Sequence, residues 1–383
     1  MAGGLAGCGS DTSEPVSGPP PAHHTTPGIT PSTSARPAVA HAVDLAGVRR
    51  VVRDPRARLE GFVAVPGHPE RRIAEWAVCP DQACHRPTYA LVVTGDGFAT
   101  SHLVGVGTSR VANGWCLEPA GPDHFAISAN CGRRRLVGLS GHVRPVDVSG
   151  RAGPLSGREV PLRSARTGYE AVDPATGVAH PLSTPAGTVE LLAAPGGQLR
   201  VATVHWRYAW SGDGGATWQQ IPMPAPGRGL MIGLVPTTSA SLQAVQLGGD
   251  GATLLPWDYV LRSTDGSSWT SYAGPGTPHA YGSMTAVLPD GRLLMDVDAW
   301  SDQRAGRPAP RPINLYSGPR WDRLTPVPLT GPFAVEDPDS FYLDLLDVTA
   351  TTDAVTLYAR APAEDGVLSS TDGGRTWHPV RAR

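Results

Sequence analysis

Lysine is absent from this 383-residue chain, so all 32 of its basic residues are arginine. That excludes a P-loop, whose Gly-x-x-x-x-Gly-Lys-Ser/Thr motif uses the ammonium group on the phosphates. We read the arginine bias as a coding preference, not a functional selection. Charged residues make up only 17% and aromatic residues 6%. No apolar run approaches the ~18–20 residues that a membrane-crossing helix needs. The formal net charge of −2 offers no electrostatic case for nucleic acid or an anionic membrane surface. The 12 histidines are scattered, and none pairs at His-x-His or His-x-x-x-His spacing. No metal or cofactor is therefore expected, and no Ser-His-Asp or Cys-His set is legible from spacing.

What is plentiful is glycine, 46 residues, and proline, 39. With so few long apolar periodic runs, this density points to many short strands joined by turns, an all-β chain. Residues 9–41 differ from the rest, with seven Pro, ten Ser or Thr and no Phe, Trp or Tyr. Such a segment buries too little apolar surface to offset its ordering entropy, so a disordered tether is expected over 8–41 and a folded domain over 42–383. The adjacent His23 and His24 belong to this tether and read as solvated.

The strongest signal is a repeat. Ser370-Thr-Asp372-Gly-Gly374-Arg-Thr376-Trp377 is matched by Ser211-Gly-Asp213-Gly-Gly215-Ala-Thr217-Trp218. Ser263-Thr-Asp265-Gly-Ser-Ser-Trp269 is one residue shorter, and Ser317-Gly-Pro-Arg-Trp321 is a worn copy without the Asp. The tryptophans at 218, 269, 321 and 377 are 51, 52 and 56 residues apart, the mark of one repeated supersecondary unit. Thr94–Thr100 reads as a degenerate copy and Tyr169–His180 as a weaker one. Before the octets lie apolar strand-like runs. Val204–Trp210 alternates with period two and predicts a half-buried strand. Met284–Met295 and Leu345–Tyr358 each predict a pair of strands. The octet is thus the recurring hairpin turn of a small antiparallel sheet. Its Ser and Asp can bond nearby backbone amides, its glycines accept positive φ, and its Trp buries a large surface. One Asp per octet is too few carboxylates for a calcium loop.

These octets resemble the Asp-box (BNR) repeat of sialidase-like β-propellers. The resemblance implies a propeller of four-stranded blades, and the length of 42–383 favours seven blades over six. It also implies that the boxes lie away from any catalytic face. Sialidases hold the substrate carboxylate with an arginine triad whose first member sits in Phe/Tyr-Arg-Ile-Pro. This chain offers Arg71-Arg72-Ile73-Ala74, lacking both the aromatic residue and the Pro. Arg72 is a relic of the triad in one reading and an ordinary solvent-facing arginine in the other. A carboxylate-pair hydrolase would instead use Asp296 and Asp298, two apart on one strand. Beside them a long segment carries Trp300, Asp302, Arg304, Arg307 and Arg311, a candidate binding loop.

Leu5-Ala-Gly-Cys8 resembles the lipobox of bacterial lipoproteins, with Cys8 the lipidated residue and the tether directly after it. Only seven residues precede Cys8, so residues 1–7 read as the remnant of a signal peptide whose start lies upstream. Cys79, Cys84, Cys116 and Cys131 are an even set that fits disulfides in an oxidising compartment, with three pairings open. Cys116–Cys131 reads as a hairpin turning around Pro119–Asp123, which would bring its two sulfurs near each other, and Cys79 and Cys84 flank a short loop. The expected protein is an exported single propeller acting as a monomer, held at the outer membrane face through Cys8 or else secreted. It would bind a protein or glycan partner without catalysis, with a divergent glycoside hydrolase as the alternative.

Overall fold

The computed structural model forms, among its described residues, twenty-eight short strands and one helix. It describes residues 45–79, 88–104, 115–129, 133–164, 168–194, 197–203, 207–222, 231–235, 237, 243–248, 259–263, 268–273, 281–298, 315–319, 325–327, 345–351, 353–360 and 366–383. The tether, Cys8, His23 and His24 lie outside these residues.

After helix α1 (Leu45–Arg53), the strands form seven four-stranded sheets. The first holds β1 (Arg58–Val65), β2 (His68–Val78), β3 (Thr88–Thr94) and β4 (His102–Val104). The second holds β5 (Trp115–Pro119), β6 (His124–Ala129), β7 (Arg134–Gly138) and β8 (Val143–Pro145). In the third, β9 (Asp147–Val148) lies outermost, beyond β10 (Val160–Ser164), β11 (Gly168–Val172) and β12 (Val178–Pro181). The fourth holds β13 (Thr188–Ala194), β14 (Gln198–Thr203), β15 (Arg207–Ser211) and β16 (Gln219–Pro222). The fifth holds β17 (Met231–Leu234), β18 (Gln243–Gly248), β19 (Tyr259–Ser263) and β20 (Thr270–Ala273). The sixth holds β21 (Tyr281–Val287), β22 (Leu293–Asp298), β23 (Leu315–Gly318) and β24 (Thr325–Pro326). The seventh holds β25 (Leu345–Ala350), β26 (Val355–Arg360), β27 (Val367–Ser370) and β28 (His378–Val380). First strands β1 and β25 are neighbours, so the first sheet meets the last and the ring closes as a β-propeller.

The core is a set of slabs between neighbouring sheets. On β3, Leu91 and Val93 pack with Phe125 and Ile127 of the second sheet. Their strand neighbours Ala90 and Val92 pack the other way, with Tyr358 and Val367 of the seventh. Both faces of an inner strand are therefore buried, and the hydrophobic pattern becomes continuous instead of alternating. This corrects the half-buried strand expected over Val204–Trp210. The strand is β15, beginning at Arg207, and Tyr208 and Ala209 on opposite faces are both fully buried.

Side-chain acceptors stitch five of the first strands to the preceding blade. Glu75 accepts the amide of Trp115 at 3.1 Å, and Tyr169 Oη accepts that of Leu191 at 2.7 Å. Glu190 accepts the amide of Leu234 at 2.7 Å, and Asp347 that of Ala64 at 2.8 Å. Glu118 takes the backbone amide of Arg163 in the same way. First strands cannot pair laterally across a blade boundary, so these side chains satisfy amides that burial would otherwise leave without partners. Register shifts at Thr188/Glu190 and Leu345/Asp347 mark bulges beside two of the acceptors.

The third sheet departs from the pattern. Its outer strand β9 is drawn from upstream and pairs parallel to β12, whereas the other pairs of strands among the described residues are antiparallel. The chain therefore leaves β12 without making a turn to a fourth strand. That explains why this sheet has no octet. It also corrects the reading of Tyr169–His180 as a weak copy: its Asp173–Gly177 turn joins the second and third strands, not the third and fourth.

Among the described residues no strand crosses from the seventh sheet to the first, since each is built from one contiguous stretch. The seam is closed by side chains and by the last residues of the chain. Phe62 and Tyr358 stack with centroids 5.2 Å apart. The Trp76 indole donates to the Ala382 carbonyl at 3.2 Å, and the Arg383 guanidinium lies 4.4 Å over the same ring. Val51 of α1 joins the buried cluster at this seam. Residues 44–383 form one compact unit.

Candidate functional site

Two complete octets adopt one hydrogen-bonded turn. Ser211 Oγ donates to Asp213 at 2.7 Å and accepts the Gly215 amide at 2.8 Å. Asp213 in turn accepts the Thr217 amide at 2.9 Å and its hydroxyl at 2.6 Å. Ser370, Asp372, Gly374 and Thr376 repeat this set at 2.8, 2.8, 2.9 and 2.6 Å. Both glycine pairs have positive φ, 70° and 95° at Gly214 and Gly215 and 75° and 86° at Gly373 and Gly374. Trp377 donates to the Gly374 carbonyl and Trp218 to that of Ser183. In the shortened copy the Trp269 indole N–H is buried without an acceptor, and its ring meets Tyr208 edge-on at 5.2 Å. Asp265 and Trp321 lie outside the described residues, while Ser263 ends its third strand as Ser211 and Ser370 do, and Ser317 stands one residue before the end of β23.

The degenerate copy makes the same bonds. Thr94 replaces Ser, and Asp96 accepts the Thr100 amide at 2.8 Å and hydroxyl at 2.6 Å. Its tryptophan is missing. Phe98, at φ 67°, stands where the other copies have glycine and is buried in the seam cluster instead. The hydroxyl of Thr217 holds the Asp213 carboxyl down to about 2, and that of Thr100 does the same for Asp96. These carboxylates are engaged within their own turns. No group of three His, Cys, Asp or Glu side chains suited to a metal occurs among the described residues.

The octets also define the two faces of the ring. The first–second hairpins and third–fourth turns open on one end of every regular sheet, here termed the turn face. The second–third connections and the passages between sheets open on the other, the loop face. Two long connections leave strand ends at the loop face: 299–314 between β22 and β23, and 327–344 between β24 and β25.

The sequence candidates separate between these faces. Arg72 lies near the start of β2, opposite Thr94, on the turn face. Burial lowers its pKa, and its guanidinium donates to the Pro69 carbonyl and, at 3.5 Å, to that of Arg381. It is neither freely solvated nor on the face opposite the octets. Asp296 and Asp298 lie at the other end, with Asp298 closing β22 opposite Tyr281 where the chain enters 299–314. Trp300, Asp302, Arg304, Arg307 and Arg311 lie outside the described residues. Cys79 follows β2 and Cys116 lies at the start of β5, both toward the loop face. The expected hairpin forms as β5 and β6, with Cys116 opposite Ser128. Cys84 and Cys131 lie outside the described residues.

Sequence reading missed the buried acids. Glu75 is 2% exposed, and burial raises its pKa to about 8, only partly offset by the Trp115 amide; Glu60 raises it further. Burial likewise raises Glu190 and Asp347 to about 7. Alone, Glu75 would suggest an acid–base group. Its recurrence at other boundaries, each time on a backbone amide, makes it part of the ring's construction. A Glu within the apolar run Ile73–Val78 was the available signal.

No protein-family model matches the chain, and no curated protein matches it. Among solved structures it is similar to the β-propeller domain of the Trilobed protease from Pyrococcus furiosus, at 8% identity and TM-score 0.48, covering 84% of this chain and 97% of that one. It is similar also to YCF48 bound to D1 peptide, at 15% identity and TM-score 0.35, covering 85% and 82%. A third is the N-terminal domain of Nup159, at 10% identity and TM-score 0.40, covering 82% and 94%. The likeness is one of fold alone, shared by peptide-binding and protease propellers.

Proposed function

We propose that this chain is a non-catalytic propeller, exported and held at the cell envelope, which binds a protein or glycan partner through its loop face. The carrying observation is the division of labour between the faces: the turn face is closed by repeated internal hydrogen bonds, and the long connections leave from the other. Rigid β scaffolds carry recognition on such connections. In this reading the octets are Asp-boxes with a purely structural role, and 299–314, with Trp300 and its arginines, is the contact segment. A photo-crosslinker at Trp300 should give a discrete adduct on intact cells, and one at Ala216 on the turn face should not. Equal labelling from both positions would defeat the assignment.

Export rests on Cys8, the tether and the four other cysteines. Cys79 and Cys116 carry bonded sulfurs, which supports pairing within the set. With upstream codons restored, Cys8→Ala should abolish lipid labelling and release the protein from membranes. A thiol count on the unreduced native protein should find Cys79, Cys84, Cys116 and Cys131 blocked.

One observation favours a second reading. Asp296 and Asp298 approach the loop face on β22, where a carboxylate-pair hydrolase would need them. Fluorogenic sialosides and neutral glycosides separate the readings: turnover lost on Asp298→Ala would replace binding with hydrolysis.

A further inference from the structure

The formal charge of −2 conceals an uneven distribution. Residues 45–60 carry five arginines against Asp54 and Glu60, and two more arginines stand at 381 and 383. The seam rim thus holds five net positive side-chain charges, leaving seven negative on the rest of the chain. The fold brings the two stretches together, since Arg383 donates to the Val52 carbonyl at the end of α1 at 2.9 Å. Arg49 and Arg53 are exposed and four apart, hence on one side of the helix, while Val51 is buried on the other. Arg58, Arg381 and Arg383 are exposed as well. Asp54 is taken by Arg56 at 2.8 Å and does not neutralise the helix.

We infer that this arginine rim, α1 with the C-terminal residues, docks on anionic phospholipid headgroups. Charge complementarity is the first argument: guanidinium groups bind phosphate through paired N–H donors, and an exposed patch of them suits a diffusely charged surface. Chain position is the second. α1 begins four residues beyond the tether, so a membrane-held tether would deliver this rim to the bilayer before any other part of the propeller. A polybasic patch is also the usual second signal where one lipid chain binds only marginally. The inference goes beyond the loop-face reading; its argument from chain position rests on the anchor proposed at Cys8, whereas its argument from charge does not.

The test uses the unlipidated full chain and phosphatidylcholine vesicles with or without about one third phosphatidylglycerol, in ~0.1 M salt. Sedimentation should show binding to the anionic vesicles only. Arg49→Gln with Arg53→Gln should weaken it about 30-fold with an unchanged melting temperature. The charge-matched control Arg151→Gln with Arg158→Gln, exposed in the connection between β9 and β10, should not. Equal binding to both vesicles, equal loss in the control, or preference for duplex DNA over vesicles at matched phosphate would each overturn the inference.

Discussion

At the residue scale, a tryptophan matters according to where its turn places it. Trp377 is buried among Leu294, Leu315 and Leu357, whereas Trp218 is only half-buried beside Leu155 and Leu191. Trp377→Ala should therefore cost about 3–5 kcal/mol and Trp218→Ala clearly less, read as urea midpoints at equal slope. Equal losses would mean that the octet's bonds, not ring burial, set the cost. Gly374 is more demanding still: its φ is positive and an added Cβ would overlap Leu315. The octet residues were legible because each has a local reason, a side chain bonding two to four residues on. The role of Phe98 was not, because only the assembled seam shows what it packs against.

At the element scale, the blade-to-blade acceptors make stability depend on pH. Glu75 stays protonated in the fold up to about pH 8, while in the unfolded chain it ionises near the ordinary glutamate value of 4.5. Between these values the native state holds the extra proton. The contribution is thus complete below pH ~4.5 and declines as pH rises through about 8, by at most ~1.4 kcal/mol per pH unit. The melting temperature should fall from pH 5 to pH 8. Glu75→Gln keeps an acceptor for the Trp115 amide and should flatten that fall. Glu75→Ala leaves the amide unsatisfied and should destabilise by about 1–3 kcal/mol even at pH 5. An unchanged slope in Glu75→Gln would assign the pH dependence to other groups. Strand existence was legible from periodicity; strand faces were not, because a blade is buried on both sides.

At the scale of the whole molecule, the described residues close the ring without strand exchange, so the seam between the seventh and first sheets is held by side-chain contacts, by α1 and by the last residues of the chain. Removing Ala382 and Arg383 takes away the acceptor of the Trp76 indole and the cation over its ring. Hydrogen exchange should then rise first in β1, β2, β25 and β26, with the fourth sheet unaffected. Uniform acceleration across all sheets would show a ring that opens only by global unfolding. The same residues hold the arginine rim in place, so their loss should weaken vesicle binding as well.

The sequence by itself determined the repeat, and with it the all-β class, the octet turns and a unit near 50 residues, because those depend on contacts within a few residues. Tertiary structure alone decided the borrowed strand β9, the two-sided burial of inner strands, the acids that bridge blades and the rim that gathers arginines from both ends of residues 45–383. Each of these joins segments far apart in the chain, and short-range pattern carries no record of which blade will stand beside which.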